Sequence, residues 1–153
     1  MGNLKLTSSA FEDGGEIPRE CGYKNGNKEP PLAVSGIPEG TKSLALIMDD
    51  PDAMAAVGKV WVHWVIWNML NEDGPLHTKR ICTWGTNSFG ELGYDGPAPP
   101  DKRHTYVFKL YALDIETLHK NTKRQSQMKK ADVEFNMKGH ILEQTQLTGT
   151  YAP

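Results

Sequence analysis

The stretch SLALIMDDPDAMAAVGKVWVHWVIWNM, residues Ser43–Met69, contains two apolar runs separated by an acidic turn with a proline. The runs Leu44–Met48 and Val60–Met69 are too short to span a membrane and have the length of buried strands. Two aspartates, Asp50 and Asp52, flank the proline between them. The pattern therefore predicts two buried strands joined through a turn that carries negative charge.

A histidine, His63, lies within the second apolar run. Because side chains alternate along a strand, one face is expected to carry four of them, namely Trp61, His63, Val65 and Trp67. An imidazole without a hydrogen-bond partner is costly among apolar groups. We therefore predict that His63 has a polar partner, and the acidic turn is the first candidate.

The remaining elements indicate a mainly β protein. Strands are predicted at Leu4–Ser8, Thr105–Asp114 and Leu147–Tyr151, and a helix is predicted from Lys130 to about Gln144. The segment Thr83–Pro100 is rich in glycine and proline and contains aromatic residues, which favours a long functional loop. Strands joined by such turns, with one late helix, predict an antiparallel sheet.

Composition limits the classes of function. The 153 residues fit one domain, residues 1–153, and a net charge of −2 argues against a general nucleic-acid binder. The two cysteines, Cys21 and Cys82, do not form a disulfide framework, and no signal-peptide pattern follows Met1, so the cytoplasm is the expected location.

The charged segment Leu118–Lys130 is interpreted as a solvated connection, with a patch for an anionic partner as the alternative.

Candidate chemistry is concentrated in a small polar set of Asp50, Asp52, His63, His104 and Tyr106. If the strand that starts near His104 lies close to the strand of His63, the two imidazoles converge and could bind a phosphate or carboxylate group. Two alternatives remain open at this point. The histidines could be satisfied within the protein beside an Asx-type turn at Asp50, or two histidines and a carboxylate could hold a catalytic metal.

Four motifs carry a resemblance to a known family, and they occur in the family's order: Asp50-Pro51-Asp52-Ala53, Trp61-Val62-His63-Trp64, Gly96-Pro97-Ala98-Pro99-Pro100 and His104-Thr105-Tyr106. Together they resemble the phosphatidylethanolamine-binding proteins, also called Raf kinase inhibitor proteins. Two further segments, Gly85–Gly90 and Leu110–Asp114, resemble the bacterial and archaeal branch of that family.

The resemblance implies a large central antiparallel sheet packed against a smaller sheet, with one or two short helices near the C-terminus. It also implies a small pocket for phosphate, phosphorylated head groups or acetate. The residues of that pocket, carried over by motif, are Asp50, Asp52, His63, Gly96, His104 and Tyr106, with Trp61 and Pro97 at the rim. As hypotheses for their roles, both histidines donate to the anion, Asp50 orients an imidazole and Gly96 allows close backbone approach. The chain departs from the family pattern Gly-x-His-Arg, since it has Lys102-Arg103-His104-Thr105.

The function implied is that of a binding protein rather than an enzyme, with no catalytic residues, no metal and no cofactor. The ligand is expected to be small and anionic or phosphorylated, and the protein could modulate signalling. Inhibition of a serine protease through the protein surface is the alternative, and metal-dependent hydrolysis is a lesser one. A protease or a kinase is thus an expected partner and a homodimer an expected assembly, whereas nucleic acid and stable membrane insertion are not expected.

Overall fold

The computed structural model describes residues 2–118 and 127–153, and in these ranges the protein is mainly β with two sheets. Most of the predicted segment Leu118–Lys130 lies outside the described residues. The strands, in chain order, are β1 Lys5–Thr7, β2 Gly15–Glu16, β3 Ala33–Ser35, β4 Ser43–Asp50, β5 Trp61–Met69, β6 Gly74–Pro75, β7 Thr83–Trp84, β8 His104–Leu113 and β9 Ile141–Tyr151. The helices are α1 Ala53–Val57 and α2 Lys130–Met137, and a 3-10 turn covers Arg19–Cys21.

Strand β4 is the centre of the larger sheet. The sheet has the order β2-β9-β8-β4-β5-β7, and all its pairs are antiparallel except β2 with β9. All eight residues of β4 are buried, because both faces of this strand are covered. A continuous apolar run is the sequence pattern that such a strand requires.

The smaller sheet packs on one face of the larger one. Its order is β1-β3-β6, and its pairs are antiparallel. Side chains of Leu6 and Val34 from this sheet join Leu46, Ile66 and Phe108 of the larger sheet in the first apolar core. The predicted arrangement of a large antiparallel sheet against a smaller one is confirmed.

Helix α2 covers the opposite face. Its residues Val133 and Met137 lie in a second apolar core with residues of β4, β5 and β8. The buried carboxylate of Asp49 also faces this side, where its Oδ2 accepts hydrogen bonds from Nζ of Lys130 at 2.7 Å and of Lys109 at 3.2 Å. The acidic pair at the end of β4 is thus divided between two faces of the sheet.

The predicted alternation along β5 is wrong at its beginning. Met48 pairs with Trp64, but Asp49 pairs with Val62, so His63 is the extra residue of a β-bulge. Trp64 packs in the first core, whereas Val65 and Trp67 pack in the second. Because of the bulge, His63 does not share a face with Val65 and Trp67, although simple alternation along the strand predicted that it would.

The C-terminal elements also differ from the prediction in their bounds. Helix α2 begins at Lys130 as expected but ends at Met137, and β9 begins at Ile141 rather than Leu147. Gly139, with a φ of 81°, forms the turn between them. Helix α2 is the short helix expected near the C-terminus, and the other short helix, α1, follows the acidic turn in mid-chain.

Candidate functional site

The acidic turn after β4 is fastened to the start of β8. Asp50 Oδ1 accepts the backbone N–H of Asp52 at 3.0 Å, which is the predicted Asx-type turn. Asp52 Oδ2 accepts the backbone N–H of Thr105 at 2.8 Å. Both carboxylates therefore act first as structural acceptors that hold the turn beside His104.

The imidazole of His104 lies between two carboxylates. Its Nδ1 is 2.6 Å from Asp50 Oδ2, its Nε2 is 2.7 Å from Asp101 Oδ1, and the side chain is fully buried. Burial lowers the pKa of His104, but the hydrogen bonds to Asp50 and Asp101 outweigh burial, so this pKa is raised above its ordinary value. The hydrogen bond from His104 is the main reason why the pKa of Asp101 is lowered. His104 is thus suited to be an imidazolium that donates one N–H to each carboxylate.

His63 has a different environment. Its Nδ1 lies 2.7 Å from the backbone carbonyl of Asp95, so the predicted polar partner exists but does not come from the acidic turn. A carbonyl oxygen only accepts, so Nδ1 carries the proton, and the neutral ring presents its lone pair at Nε2. Burial lowers the pKa of His63, and the Asp95 carbonyl and nearby carboxylates oppose this shift only in part. His63 is therefore suited to be a neutral acceptor.

Asp95 is a supporting residue that sequence reasoning missed. Its carboxylate accepts amide N–H groups from Asn27 at 2.9 Å and from Asn87 at 2.8 Å. These bonds fix the loop segment whose carbonyl binds His63. The prediction that Thr83–Pro100 is a functional loop was the only sequence signal that pointed to this segment.

The hydroxyl of Tyr106 is buried and has no hydrogen-bond partner among the described residues. The ring lies near both imidazoles, with centroid distances of 5.3 Å to His63 and 6.3 Å to His104. Burial and the negative charge of Asp50 raise the pKa of Tyr106 well above its ordinary value, so its O–H stays protonated. Asp50 and the backbone of Ala98 are close enough to affect this pKa, but neither has the geometry of a hydrogen bond to the hydroxyl. A buried polar group without a partner costs free energy, which a ligand could recover.

Phe89 forms part of the same wall and was not predicted. Its ring stacks on Tyr23 with a centroid distance of 4.5 Å, and it meets Trp61 and His63 edge-on at 5.5 and 5.7 Å. The loop Thr83–Pro100 therefore contributes an aromatic cover next to His63.

A cavity of about 250 Å³ lies where these side chains meet. Its lining joins the end of β4, helix α1, the bulge of β5, the long loop and the start of β8, and consists of Asp50, Ala53, Ala56, Val57, Trp61, His63, Phe89, Ala98, Pro100, His104 and Tyr106. The structure thus brings together five of the eight predicted site residues, namely Asp50, Trp61, His63, His104 and Tyr106.

The other three predicted residues, Asp52, Gly96 and Pro97, do not line this cavity. A Cβ added to Gly96 would lie 1.9 Å from the carbonyl oxygen of Cys21, so the close approach that this glycine allows is between two backbone segments. The carbonyl of Pro97 accepts the backbone N–H of Tyr23 at 2.9 Å. These residues shape the cavity indirectly, by holding the loop in place.

The two basic residues before His104, of which Lys102 replaces the glycine of the family pattern, also lie outside the lining. Arg103 Nη1 donates to Thr150 Oγ1 at 3.1 Å and lies 3.6 Å from a carboxylate oxygen of Glu16, so it binds strands β9 and β2. Lys102 is exposed. Within residues 2–118 and 127–153, no group of three or more His, Cys, Asp or Glu side chains is arranged to hold a metal ion.

The family model of the phosphatidylethanolamine-binding proteins matches residues 7–152 of this sequence. The chain belongs to this family. A UPF0098 protein of Chlamydia muridarum is 38% identical over 152 residues, which cover 97% of this chain and 98% of that protein. A UPF0098 protein of the archaeon Methanothermobacter thermautotrophicus is 41% identical over 158 residues, with the same coverage of both chains. The predicted bacterial and archaeal relationship is confirmed.

Solved structures give the same result. A phosphatidylethanolamine-binding protein homolog from Chlamydia trachomatis has a TM-score of 0.85 at 34% identity, covering 99% of this chain and 98% of that one. The protein YbcL of E. coli, a member of the same family, has a TM-score of 0.84 at 29% identity and covers 98% of both chains. A carboxypeptidase Y inhibitor in complex with its cognate proteinase has a TM-score of 0.55 at 19% identity, covering 95% of this chain and 81% of that one, which shows a shared fold. No helix in the described part of this family member is long and apolar enough to cross a membrane.

Proposed function

We propose that this protein binds small phosphorylated or related oxyacid ligands in the cavity between His63 and His104, and does not transform them. The observation that carries the proposal is the buried hydroxyl of Tyr106, which has no partner among the described residues and belongs to a cavity wall beside both imidazoles. Buried polar groups in native proteins are normally paired. A ligand oxygen in the cavity would supply that partner.

The size of the cavity suits a head group rather than a whole lipid or peptide. A volume of about 250 Å³ lies just below the range of about 300–1,000 Å³ that is typical of small-molecule sites. The apolar side of the lining, which includes Ala53, Val57 and Phe89, would contact the carbon part of a phosphorylated ligand.

Roles follow from the geometry. Tyr106 donates its O–H to a ligand oxygen, and His63 offers Nε2. His104 contributes positive charge but no free N–H, because Asp50 and Asp101 accept from both of its nitrogens. This assignment replaces the expectation that His104 donates to the anion.

A binding role without chemistry is supported by the state of Asp50, the one carboxylate that the described residues contribute to the lining. Both oxygens of Asp50 are used, one by His104 and the other by the backbone of Asp52. A carboxylate held in this way is a support for the wall rather than a free nucleophile. Location in the cytoplasm and formation of a homodimer stay predictions.

Isothermal titration calorimetry with inorganic phosphate and phosphorylethanolamine tests the proposal. We expect the wild-type protein to bind both, and His63→Ala to bind at least about tenfold more weakly, because it removes a buried polar contact and one wall of the cavity. His77→Ala is the matched control, since the side chain of His77 is 42% exposed and contacts only Glu72 among the described hydrogen bonds. Equal affinity of wild type and His63→Ala would contradict the proposal.

The second expected function is inhibition of a serine protease. The same series of experiments can distinguish this function from ligand binding in the cavity. A double variant, His63→Ala with His104→Ala, should lose ligand affinity. Inhibition of a protease that survives in this double variant would favour a surface mechanism that does not use the cavity.

A further inference from the structure

We infer that the cavity selects its ligand in a protonated form, as an oxyacid group that keeps one O–H to donate to Nε2 of His63, and discriminates against anions that carry no proton. The inference rests on the proposed function and adds the chemical class of the ligand. It comes from the positions of donors, acceptors and charges around the cavity.

The first argument is the fixed tautomer of His63. Nδ1 donates to the Asp95 carbonyl at 2.7 Å, and that bond is supported because Asp95 N–H also donates to the carbonyl of His63 at 3.1 Å. The neutral ring then has only a lone pair to offer at Nε2. A ligand oxygen without a proton would place its own lone pair against this one, whereas a ligand O–H would form a hydrogen bond.

The second argument is the charge of the surroundings. The groups beside His63 are Asp50 on β4, His104 and Tyr106 on β8, and the Asp95 loop, and the lining contains no lysine or arginine among the described residues. Helix α1 adds only Ala, Met and Val side chains, and Asp49 on the far face is paired with two lysines. Lys59, which follows α1, lies outside the lining, with its Nζ 5.0 Å from the centroid of the Trp61 ring.

The single positive charge on His104 is matched by two carboxylates, those of Asp50 and Asp101. The immediate cluster therefore has a net charge of about −1 when both carboxylates are ionised. Sites that bind fully ionised phosphate normally supply an excess of positive charge or several free N–H donors. This cavity fits a ligand of lower charge better.

The third argument is the hydroxyl of Tyr106. Because its pKa is raised, this group is a donor at neutral pH and can bind an unprotonated oxygen of the same ligand. His63 and Tyr106 then form a pair in which one accepts from the ligand and the other donates to it. A singly protonated phosphate monoester matches both, and a sulfate ester matches only Tyr106.

The test compares three probes of similar shape: methyl phosphate, methylphosphonate and methyl sulfate. Affinity is measured by NMR titration of the wild-type protein between about pH 5 and pH 8. Methyl phosphate should lose affinity by about tenfold per pH unit above its second pKa of about 6. Methylphosphonate, which keeps its second proton to higher pH, should begin to lose affinity at correspondingly higher pH. Methyl sulfate should bind at least about tenfold more weakly than methyl phosphate at the acidic end.

Two results would overturn this inference and leave the proposed function standing. One is methyl sulfate binding as tightly as methyl phosphate. The other is a pH midpoint that is the same for methyl phosphate and methylphosphonate, because a protein group such as His63 would then be taking up the proton. If none of the three probes binds to the folded protein, the inference and the proposed function are both refuted.

A variant gives an independent check. In His63→Gln the side-chain amide can turn its N–H toward the ligand, so the preference for methyl phosphate over methyl sulfate should fall by at least about threefold. His77→Gln, at a histidine outside the cavity lining, should keep the wild-type preference. An unchanged preference in a folded His63→Gln protein would contradict the role given to Nε2.

Discussion

Replacing Asp50 by asparagine tests how the site is held together. Asparagine cannot act as a neutral mimic at this position, because the two oxygens of Asp50 accept from two different groups, the N–H of Asp52 at 3.0 Å and Nδ1 of His104 at 2.6 Å. An amide has one oxygen and one NH₂ group, so whichever way it turns, one of these donors loses its acceptor. The Asp50→Asn variant therefore loses either the acceptor of the turn or the charged contact with His104, which could keep a hydrogen bond to the amide only by releasing its proton.

The expected loss of stability can be estimated from burial. The side chains of Asp50 and His104 are 4% and 0% exposed, and breaking a buried pair of this kind costs about 3–5 kcal/mol. We take the lower end, about 3 kcal/mol, because His104 keeps its contact with Asp101 and can release its proton. For a chain of this size that corresponds to a fall in Tm of about 6–12 °C.

The loss of stability in Asp50→Asn should also depend on pH. The folded pKa of His104 is raised above its unfolded value, so the stability from its charge is fully present below about pH 6.5 and disappears as the pH rises through the folded pKa. The difference between wild type and Asp50→Asn should therefore be largest near pH 6 and smaller near pH 9. Urea unfolding at both pH values measures it, with the exposed Asp73→Asn as a control for the change in net charge. A difference below about 0.5 kcal/mol at pH 6, or one that does not change with pH, would refute this account of His104.

Two other predictions concern the loop beside the cavity. Gly96→Ala should destabilise the protein by about 3 kcal/mol or more in urea unfolding, because its Cβ would lie 1.9 Å from the backbone oxygen of Cys21; unchanged stability would show that the two backbones can separate. Phe89→Ala should weaken phosphorylethanolamine binding by about 2- to 10-fold in an NMR titration, since the ring that contacts Tyr23 and His63 is lost; an unaltered Kd would remove Phe89 from the binding wall.

Much of the fold could be predicted from the sequence, because the central strands have regular patterns of apolar residues. The apolar run around Leu46 and the alternating run around Phe108 have the patterns of a doubly covered strand and of a paired strand, and both predictions are confirmed. The end of α2 was not readable, because Ile141 continues the spacing of Val133 and Met137. Gly139 stops the helix, and pairing with β8 then determines the conformation of Ile141.

The sequence indicated which residues belong to the site better than it indicated how those residues are arranged. The motifs indicated His63, His104 and Tyr106, but periodicity could not show that His63 is the extra residue of a bulge, since a bulge changes the face without changing the composition. The partner of His63 is a backbone carbonyl, that of Asp95, and backbone groups have no sequence signature. The contact of Asp101 with Nε2 of His104 depends on the conformation of the proline-rich loop.

The central claim is that the two imidazoles and the tyrosine hydroxyl surround a place for a phosphorylated head group. A crystal structure of the protein soaked with phosphorylethanolamine tests it most directly. We predict a phosphate group with one oxygen within hydrogen-bond distance of the Tyr106 hydroxyl and another beside Nε2 of His63, with Asp50 and Asp101 still bound to His104. A cavity without phosphate at saturating ligand, or a phosphate bound elsewhere on the protein, would contradict it.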